Sequence, residues 1–302
     1  MTTAPTLTDG PVTLRLLDAG RAEVEATAGA SGAGDDVERS LRQLLDRAFG
    51  EADVRTVHWH VPVGDWASRR VAHRLGFAHD GLLRRWQPGP GQELGDAWLC
   101  TLLADDPREP RKPWLEVPVL DGDGVRLRPF TDADAPRVVE GLGDSEVQHW
   151  LAFMPRDPGE QDALRYLERA RERLATAHTL TWAFCSPEGT HGDDRLLGEV
   201  GLYRLEEEAE LGYWTHPEGR GRGLTTRAAR VAVDHAFETL GLDRLAAYAS
   251  ASNAASRRVL EAVGFRLVGL QRRAVRTGDG RPDDLAAYDL LADERPHERI
   301  PA

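Results

Sequence analysis

Apolar positions along the second half of the chain recur with two different periods. Strand-like patterning over Val125–Phe130, Thr179–Cys185, Leu196–Leu205, Ala209–Trp214 and Leu245–Ala249 predicts β-strands. Gly159–Ala177 reads as helical, and Thr226–Leu240 as an amphipathic helix. Ala229, Ala232, Val233, Ala236, Phe237 and Leu240 form one face of that helix, and Gly241 is its stop. Ser252 or Asn253 caps a short helix that ends at Gly264, and Phe265 opens two last strands around the polar turn Arg276–Asp284. In the first half, Asp36–Phe49 carries a helical stripe of Leu41, Leu44, Leu45, Ala48 and Phe49, and a strand follows at Arg55–Val61. Strands interleaved with helices predict an α/β (α+β) fold, a mixed central sheet flanked by helices.

The two halves repeat one another. Ala67-Ser68-Arg69-Arg70-Val71 followed by Gly76-Phe77 returns 188 residues later as Ala255-Ser256-Arg257-Arg258-Val259 followed by Gly264-Phe265. The same spacing, without gaps, relates Gly81-Leu82 to Gly269-Leu270, Arg84-Arg85 to Arg272-Arg273, and Leu102–Asp105 to Leu290–Asp293. At the starts of the halves, Val12–Leu16 resembles Val125–Pro129 at a shorter spacing of 113. The difference implies that the first copy is abridged by about 75 residues between its first strand and its central helix. Between the copies, Asp105–Pro118 carries Pro107, Pro110, Pro113 and Pro118 among charges, the composition of a stiff linker. The expected organisation is a truncated first domain (1–108), a Pro-rich linker (109–118) and a complete second domain (119–302).

Composition narrows the chemistry. The 302 residues, 41% of them hydrophobic, can build about two cores, and no apolar run is long enough for a membrane span. No secretory head or apolar core opens the sequence, and two cysteines far apart, Cys100 and Cys185, fit a reducing compartment, so a cytoplasmic location is expected. A net charge of −12 argues against a sequence-independent grip on nucleic acid and mildly favours cationic partners such as amines. Lys112 is the sole lysine and sits between prolines, which excludes a Walker phosphate loop and a pyridoxal Schiff base. His58 and His60 share a strand face without any metal-binding spacing, so no metal is expected.

The informative stretch is Gly219-Arg220-Gly221-Arg222-Gly223-Leu224-Thr225-Thr226, between a strand and a helix. Glycines let the backbone approach a ligand, and the following helix start adds positive potential, a combination suited to a pyrophosphate. A dinucleotide fingerprint fails, because the required third glycine is absent. Taken by itself the loop is equally compatible with a solvated turn.

Together with Glu210–Trp214 before it and Asn253–Leu260 and Gly264-Phe265 after it, this loop resembles the GNAT superfamily of N-acetyltransferases, in its RimJ/RimL-like branch, over about Val125–Glu294. The resemblance implies the GNAT fold and acetyl-CoA as co-substrate. It places Arg220, Gly223 and Thr225 at the defining positions of the family's Gln/Arg-x-x-Gly-x-Gly/Ala loop, with Thr225 a departure from Gly/Ala. Backbone amides from Arg220 through Gly221, Arg222, Gly223, Leu224 and Thr225 would hold the pyrophosphate. The pantetheine arm would enter between Glu210–Trp214 and Leu245–Ala249, with amides near Tyr213 and Trp214 polarising the thioester carbonyl. Glu210 resembles a general-base glutamate or is a plain strand carboxylate, and Glu199 is its substitute. Asn253 and Ser256 match an Asn-x-x-Ser pattern in which the serine protonates the leaving thiolate, although Asn253 is also a natural helix cap. Tyr248 is a further proton donor or a buried ring.

At the 188-residue spacing, Gly32, Asp35 and Val37 replace the loop residues and Asp65 replaces Asn253, so the first half is expected to be a degenerate copy that repels pyrophosphate. Its lost strands call for a cover, either the second half or a second copy of the chain in a homodimer. The implied activity is acetyl transfer to a primary amine, a protein N-terminus or a small molecule, by direct attack in a ternary complex. The alternative is a non-catalytic acyl-CoA-binding or assembly module. Acceptor recognition falls to Gly143–Arg156 and Ser186–Asp194, with Asp144, Glu146 and Glu206–Glu208 attracting a cationic acceptor.

Overall fold

A computed structural model describes residues 5–17, 20–26, 34–88, 94–151, 156–186, 194–206 and 208–294. The chain divides into two compact units, Met1–Pro113 and Trp114–Ala302, meeting inside the Pro-rich stretch.

The first unit runs β1 (Thr6–Asp9), β2 (Val12–Leu16), β3 (Arg21–Ala26), α1 (Gly34–Glu51), β4 (Thr56–Pro62), α2 (Trp66–Arg74), β5 (Ala78–Pro88) and β6 (Leu94–Leu103). Its six-stranded sheet has the order β1-β2-β3-β4-β6-β5. Leu41, Leu44, Leu45 and Ala48 of α1 bury completely or nearly so against Val12, Leu14, Trp59 and Leu102. The i, i+3, i+4, i+7 spacing of those four residues sets which face of α1 turns inward.

The second unit runs β7 (Leu120–Gly122), β8 (Val125–Arg128), α3 (Ala135–Leu142), α4 (Ser145–Trp150), α5 (Glu160–Ala175), β9 (Thr179–Cys185), β10 (Gly198–Tyr203), β11 (Glu210–Thr215), α6 (Leu224–Glu238), β12 (Arg244–Ser250), α7 (Ala254–Val263), β13 (Arg266–Arg276) and β14 (Pro282–Leu291). The sheet order is β13-β14-β12-β11-β10-β9-β8-β7. Two apolar layers cover it. Ala228, Ala229, Ala232 and Val233 of α6 pack on Trp182, Val200 and Leu202, while Val138 and Leu142 of α3 and Leu167 of α5 pack with Ala183 and Trp214. Every residue of β9 is buried, as a strand covered on both faces requires.

Read from the middle outward, the two sheets have one topology: β1-β2-β3-β4-β6-β5 matches β9-β10-β11-β12-β14-β13. The spans of β4, β5 and β6 coincide with those of β12, β13 and β14 at the 188-residue spacing. The agreement extends to irregularities. Arg85 and Arg273 both take positive φ (51° and 53°) inside register shifts of β5 and β13. Each donates its backbone N–H to an aspartate on the neighbouring strand, Asp96 and Asp284, at 2.8 Å. Arg69 reaches the Cys100 sulfur, and Arg257 reaches the Tyr288 hydroxyl, again 188 residues on. Two sheets of one order fit a tandem arrangement.

One expectation is corrected. Val12–Leu16 pairs with β1 and β3, whereas Val125–Arg128 pairs with β7 and β9. Strand partners therefore place Val12–Leu16 in the position of β10. What the first unit lacks is the region holding β7, β8, α3, α4 and α5, which precedes its first strands instead of interrupting them.

The units differ at one seam. In the first, β3 and β4 run parallel through four consecutive pairs, from Arg21–Thr56 to Val24–Trp59. In the second, β11 and β12 pair only at Glu210–Ala246, backed by a 2.8 Å bond from the Ala246 N–H to the Ala209 carbonyl.

A left-handed bulge residue depends on its aspartate acceptor, so Asp96→Ala and Asp284→Ala are each expected to cost about 1–2 kcal/mol. Chemical denaturation of the two variants checks this, and an unchanged midpoint in either would mean that its bulge is held by strand pairing alone.

Candidate active site

Where β11 and β12 part, a cavity of about 1210 Å³ opens in the second unit. It is lined by the loop residues Gly219–Gly221 and Gly223–Thr226, by Glu199, by Glu210 and Tyr213–Thr215 of β11, by Tyr248 of β12, and by Asn253 and Ser256. The structure thus brings together nearly all the residues singled out from the sequence. Arg222 lies outside the lining, its side chain exposed and its carbonyl accepting a bond from Arg227.

The loop is built for backbone exposure. Gly221 and Gly223 have φ of +70° and +69°, and a Cβ on either would meet nothing within 4 Å, so the chain turns left-handed beside open space. Gly223 is the N-cap of α6 and supplies no side chain to its first turn. The first N–H groups of this 15-residue helix therefore have no side-chain acceptor from the cap, and Gly223–Thr226 line the cavity, an arrangement suited to an anion. The Thr225 hydroxyl, expected to adjust or assist the loop, bonds instead to the Thr215 hydroxyl at 2.6 Å and staples the helix start to the end of β11.

Beneath the loop lies a network that sequence reading missed. Arg137, only 8% exposed, donates to the Leu196 carbonyl and to Nδ1 of His216, and pairs with Glu218 at 3.0 Å. The Glu218 backbone N–H also donates to Nδ1, so the proton of a neutral His216 sits on Nε2, which faces Glu140 at 3.2 Å. Burial and Arg137 hold the imidazole's pKa below its ordinary value, which favours that neutral form. The short turn Pro217–Gly219 is thereby fixed before the glycine loop begins.

Arg220 turns away from the loop. Its guanidinium pairs with Asp144 and, at 3.0 Å, with Glu146 of α4. Asp144 also caps α4, accepting from the N–H groups of Glu146 and Val147. Glu208 pairs with Arg244. These acidic groups, expected to draw in a cationic acceptor, are thus engaged within the protein. Glu207, Gly32, and the loop segments 152–155 and 187–193 lie outside the described residues.

Ser256 meets a partner not foreseen from the sequence, the Tyr213 hydroxyl, which lies 3.0 Å from both its Oγ and its carbonyl oxygen. This contact joins β11 to α7 across the parted seam. The Asn253 side chain accepts from the Ser256 N–H at 3.0 Å, so its amide oxygen serves as helix cap, as does Asp65 for Ser68 in the first unit. Burial pushes the Tyr213 hydroxyl well above the ordinary tyrosine range, keeping it protonated.

Two carboxylates border the middle of the cavity. Burial raises Glu210, and the adjacent Arg204 charge opposes that shift. Glu199 is buried at 3% exposure and accepts from the hydroxyls of Tyr166 and Tyr203, while the Trp214 indole donates to Tyr166 at 3.1 Å. Gly201 and Gly212, directly opposed across β10 and β11, leave the space that the Tyr203 ring fills. Desolvation lifts the Glu199 carboxyl above the ordinary glutamate range despite its two donors.

A parted parallel seam leading from a bare helix start is the arrangement that the GNAT resemblance implies, and comparison with known proteins identifies the class. The acetyltransferase (GNAT) domain family matches residues 125–266. YdaF of Bacillus subtilis (strain 168), provisionally named a ribosomal N-acetyltransferase, is 30% identical over 177 residues, covering 56% of this chain and 92% of its own. The ribosomal-protein-serine acetyltransferase of Escherichia coli (strain K12) is 27% identical over 106 residues, 34% of this chain and 59% of its own. RimJ of Mycobacterium smegmatis, solved with CoA-disulfide, shares the fold with a TM-score of 0.51 at 24% identity, over 57% of this chain and 84% of its own. The chain belongs to the GNAT acetyltransferase family.

The raised Glu199 carboxyl makes a signed prediction. Folding takes up a proton between the ordinary glutamate pKa and the raised one, so its stabilising effect is full at low pH and is lost as pH rises through that interval. Glu199→Gln should therefore gain stability relative to wild type across the same interval. Denaturant midpoints measured from about pH 4 to 8 test this, and parallel curves would show that Glu199 titrates normally.

Proposed function

We propose that the second unit transfers an acetyl group from acetyl-CoA to a primary amine, a protein or peptide N-terminus, by direct attack in a ternary complex. The observation that carries this reading is the parted β11–β12 seam, running from the bare start of α6 to Ser256 and Tyr213 within one cavity. The names of YdaF and of the Escherichia coli relative support a protein N-terminus as acceptor.

The amide groups of Gly221–Thr225 bind the pyrophosphate, and the pantetheine lies in the seam. Backbone groups at Tyr213 and Trp214 polarise the thioester carbonyl. An ammonium acceptor loses its proton to Glu210, whose raised carboxyl is a better base than an ordinary glutamate. The amine nitrogen then forms a bond to the carbonyl carbon as the carbon–sulfur bond breaks. The departing thiolate takes a proton from Ser256, and the second proton shed by the acylated nitrogen returns to the Ser256 Oγ, which the Tyr213 hydroxyl holds at 3.0 Å; Tyr248 lines the same cavity as a second donor.

In the first unit the corresponding seam is zipped, and Asp35 and Asp36 occupy the first turn of α1. Those carboxylates complement the helix dipole and repel a pyrophosphate. The first unit is accordingly a degenerate copy without acetyl-CoA, and calorimetry on the full chain should find about one coenzyme A site per chain; two sites would refute this.

Thiol release from acetyl-CoA in the presence of amines and N-terminal peptides tests the activity. Stabilisation by coenzyme A without release on any acceptor would favour the non-catalytic alternative. Ser256→Ala is expected to lower kcat about 100-fold with little change in the KM for acetyl-CoA. Gly223→Ala, forced into a left-handed conformation that costs about 1–2 kcal/mol, should chiefly raise that KM.

A further inference from the structure

The acceptor end of the cavity has a charge that the −12 chain as a whole does not foretell. Helix α5 presents Arg165, Arg169 and Arg173 to the cavity, each four residues after the last and therefore on one face. The row spans about 12 Å at the helical rise of about 1.5 Å per residue. Its direction follows from bonded neighbours. Tyr166, beside Arg165, touches Glu199 and bonds Trp214. Arg173 accepts the His178 N–H at its carbonyl, next to Thr179, which lies opposite Tyr203, which in turn lies opposite Glu210. The row thus runs from the level of Trp214 to the start of β11, away from the α6 loop.

Among the described residues, two of the three charges of this row are unpaired. Arg165 pairs with Asp162 at 2.7 Å, but Arg169 and Arg173 have no ion-pair partner among the described residues. Of the other carboxylates of the cavity, Glu146 pairs with Arg220, and Glu199 accepts from its two tyrosines and lies in the field of Arg173 without an ion pair to it. Glu210 sits in the field of Arg204. The acids interleaved on α5 do not face the row: Glu168 pairs with Arg171 and neither it nor Glu172 lines the cavity.

We infer that the acceptor is an acidic peptide, bound with its N-terminal amine in the cavity beside β11 and its first residues extended along α5. This rests on the acetyltransferase reading above. Side chains on one face of an extended chain recur about every 6.6–6.8 Å, close to the roughly 6 Å rise between arginines four residues apart on a helix. A single anionic group would need only one of these arginines, whereas aspartate or glutamate at alternate positions matches the row.

The test compares acetyl-CoA-dependent acetylation of five-residue peptides with an N-terminal serine and either aspartates, lysines or alanines at positions two and four. The aspartate peptide should exceed the lysine peptide by about tenfold or more in kcat/KM, mostly through KM, and raising the salt from about 0.05 to 0.5 M should shrink the ratio. The double variant Arg169→Glu/Arg173→Glu, with its fold verified by circular dichroism and melting, should invert the preference. Equal rates, a preference for lysine, or a ratio unmoved by charge reversal would overturn the inference while leaving acetyl transfer intact. Transfer to small amines but to no peptide would overturn it too. Absence of thiol release with every acceptor would instead overturn the enzymatic reading itself.

Discussion

The site depends on a ladder that stops. After Glu210–Ala246, β11 and β12 separate within an otherwise continuous sheet, and backbone groups that would satisfy one another face a cavity instead. Leaving a buried donor or acceptor without a partner costs about 1–3 kcal/mol, so the separation must be imposed by the surroundings. Several features impose it. Trp214 is packed into the layer of α3 and α5, the Thr215–Thr225 pair ties the strand end to α6, and Tyr213 reaches across to Ser256. An amide-bearing ligand lying in the gap would restore the lost hydrogen bonds, which makes the opening a preference for one kind of guest.

Much of this was legible in the sequence because it is local. Period and punctuation located the strands around Leu196–Trp214, the helix after Gly223 and the cap at Asn253, and the glycines of the loop announced their left-handed turns. What depends on pairing across the sheet was not legible. Val12–Leu16 reads like Val125–Pro129 because both alternate Val, Leu and Arg, yet the neighbours that a strand acquires decide its place. The Tyr213–Ser256 contact joins residues 43 apart, and the Arg137–His216 support joins residues 79 apart. The opposed glycines Gly201 and Gly212, which admit Tyr203 and so anchor Glu199, look like ordinary strand interruptions until the register is known. The arginines of α5 appear in sequence as one charged helix among several; only the cavity distinguishes the face they share.

Charge told the same story at two scales. Net acidity pointed toward cationic acceptors, but acidity is a property of the whole surface and the site is a small part of it. Within the cavity, Glu146 and Asp162 are taken up in ion pairs, and the side chains left over set the local field. Which charges remain after the protein has neutralised itself is a geometric result, and composition does not contain it.

The repeated framework carries one more consequence. Both units preserve the aspartate-held bulge, the capped short helix and the same strand order, yet one closes its central parallel seam and the other holds it apart. The framework is therefore indifferent to the gap, and the choice lies in the few side chains that border it. One chain thus carries two sheets of the same strand order, one shut and one parted at the same seam, so the shut seam is a built-in reference against which the energy of staying open can be weighed.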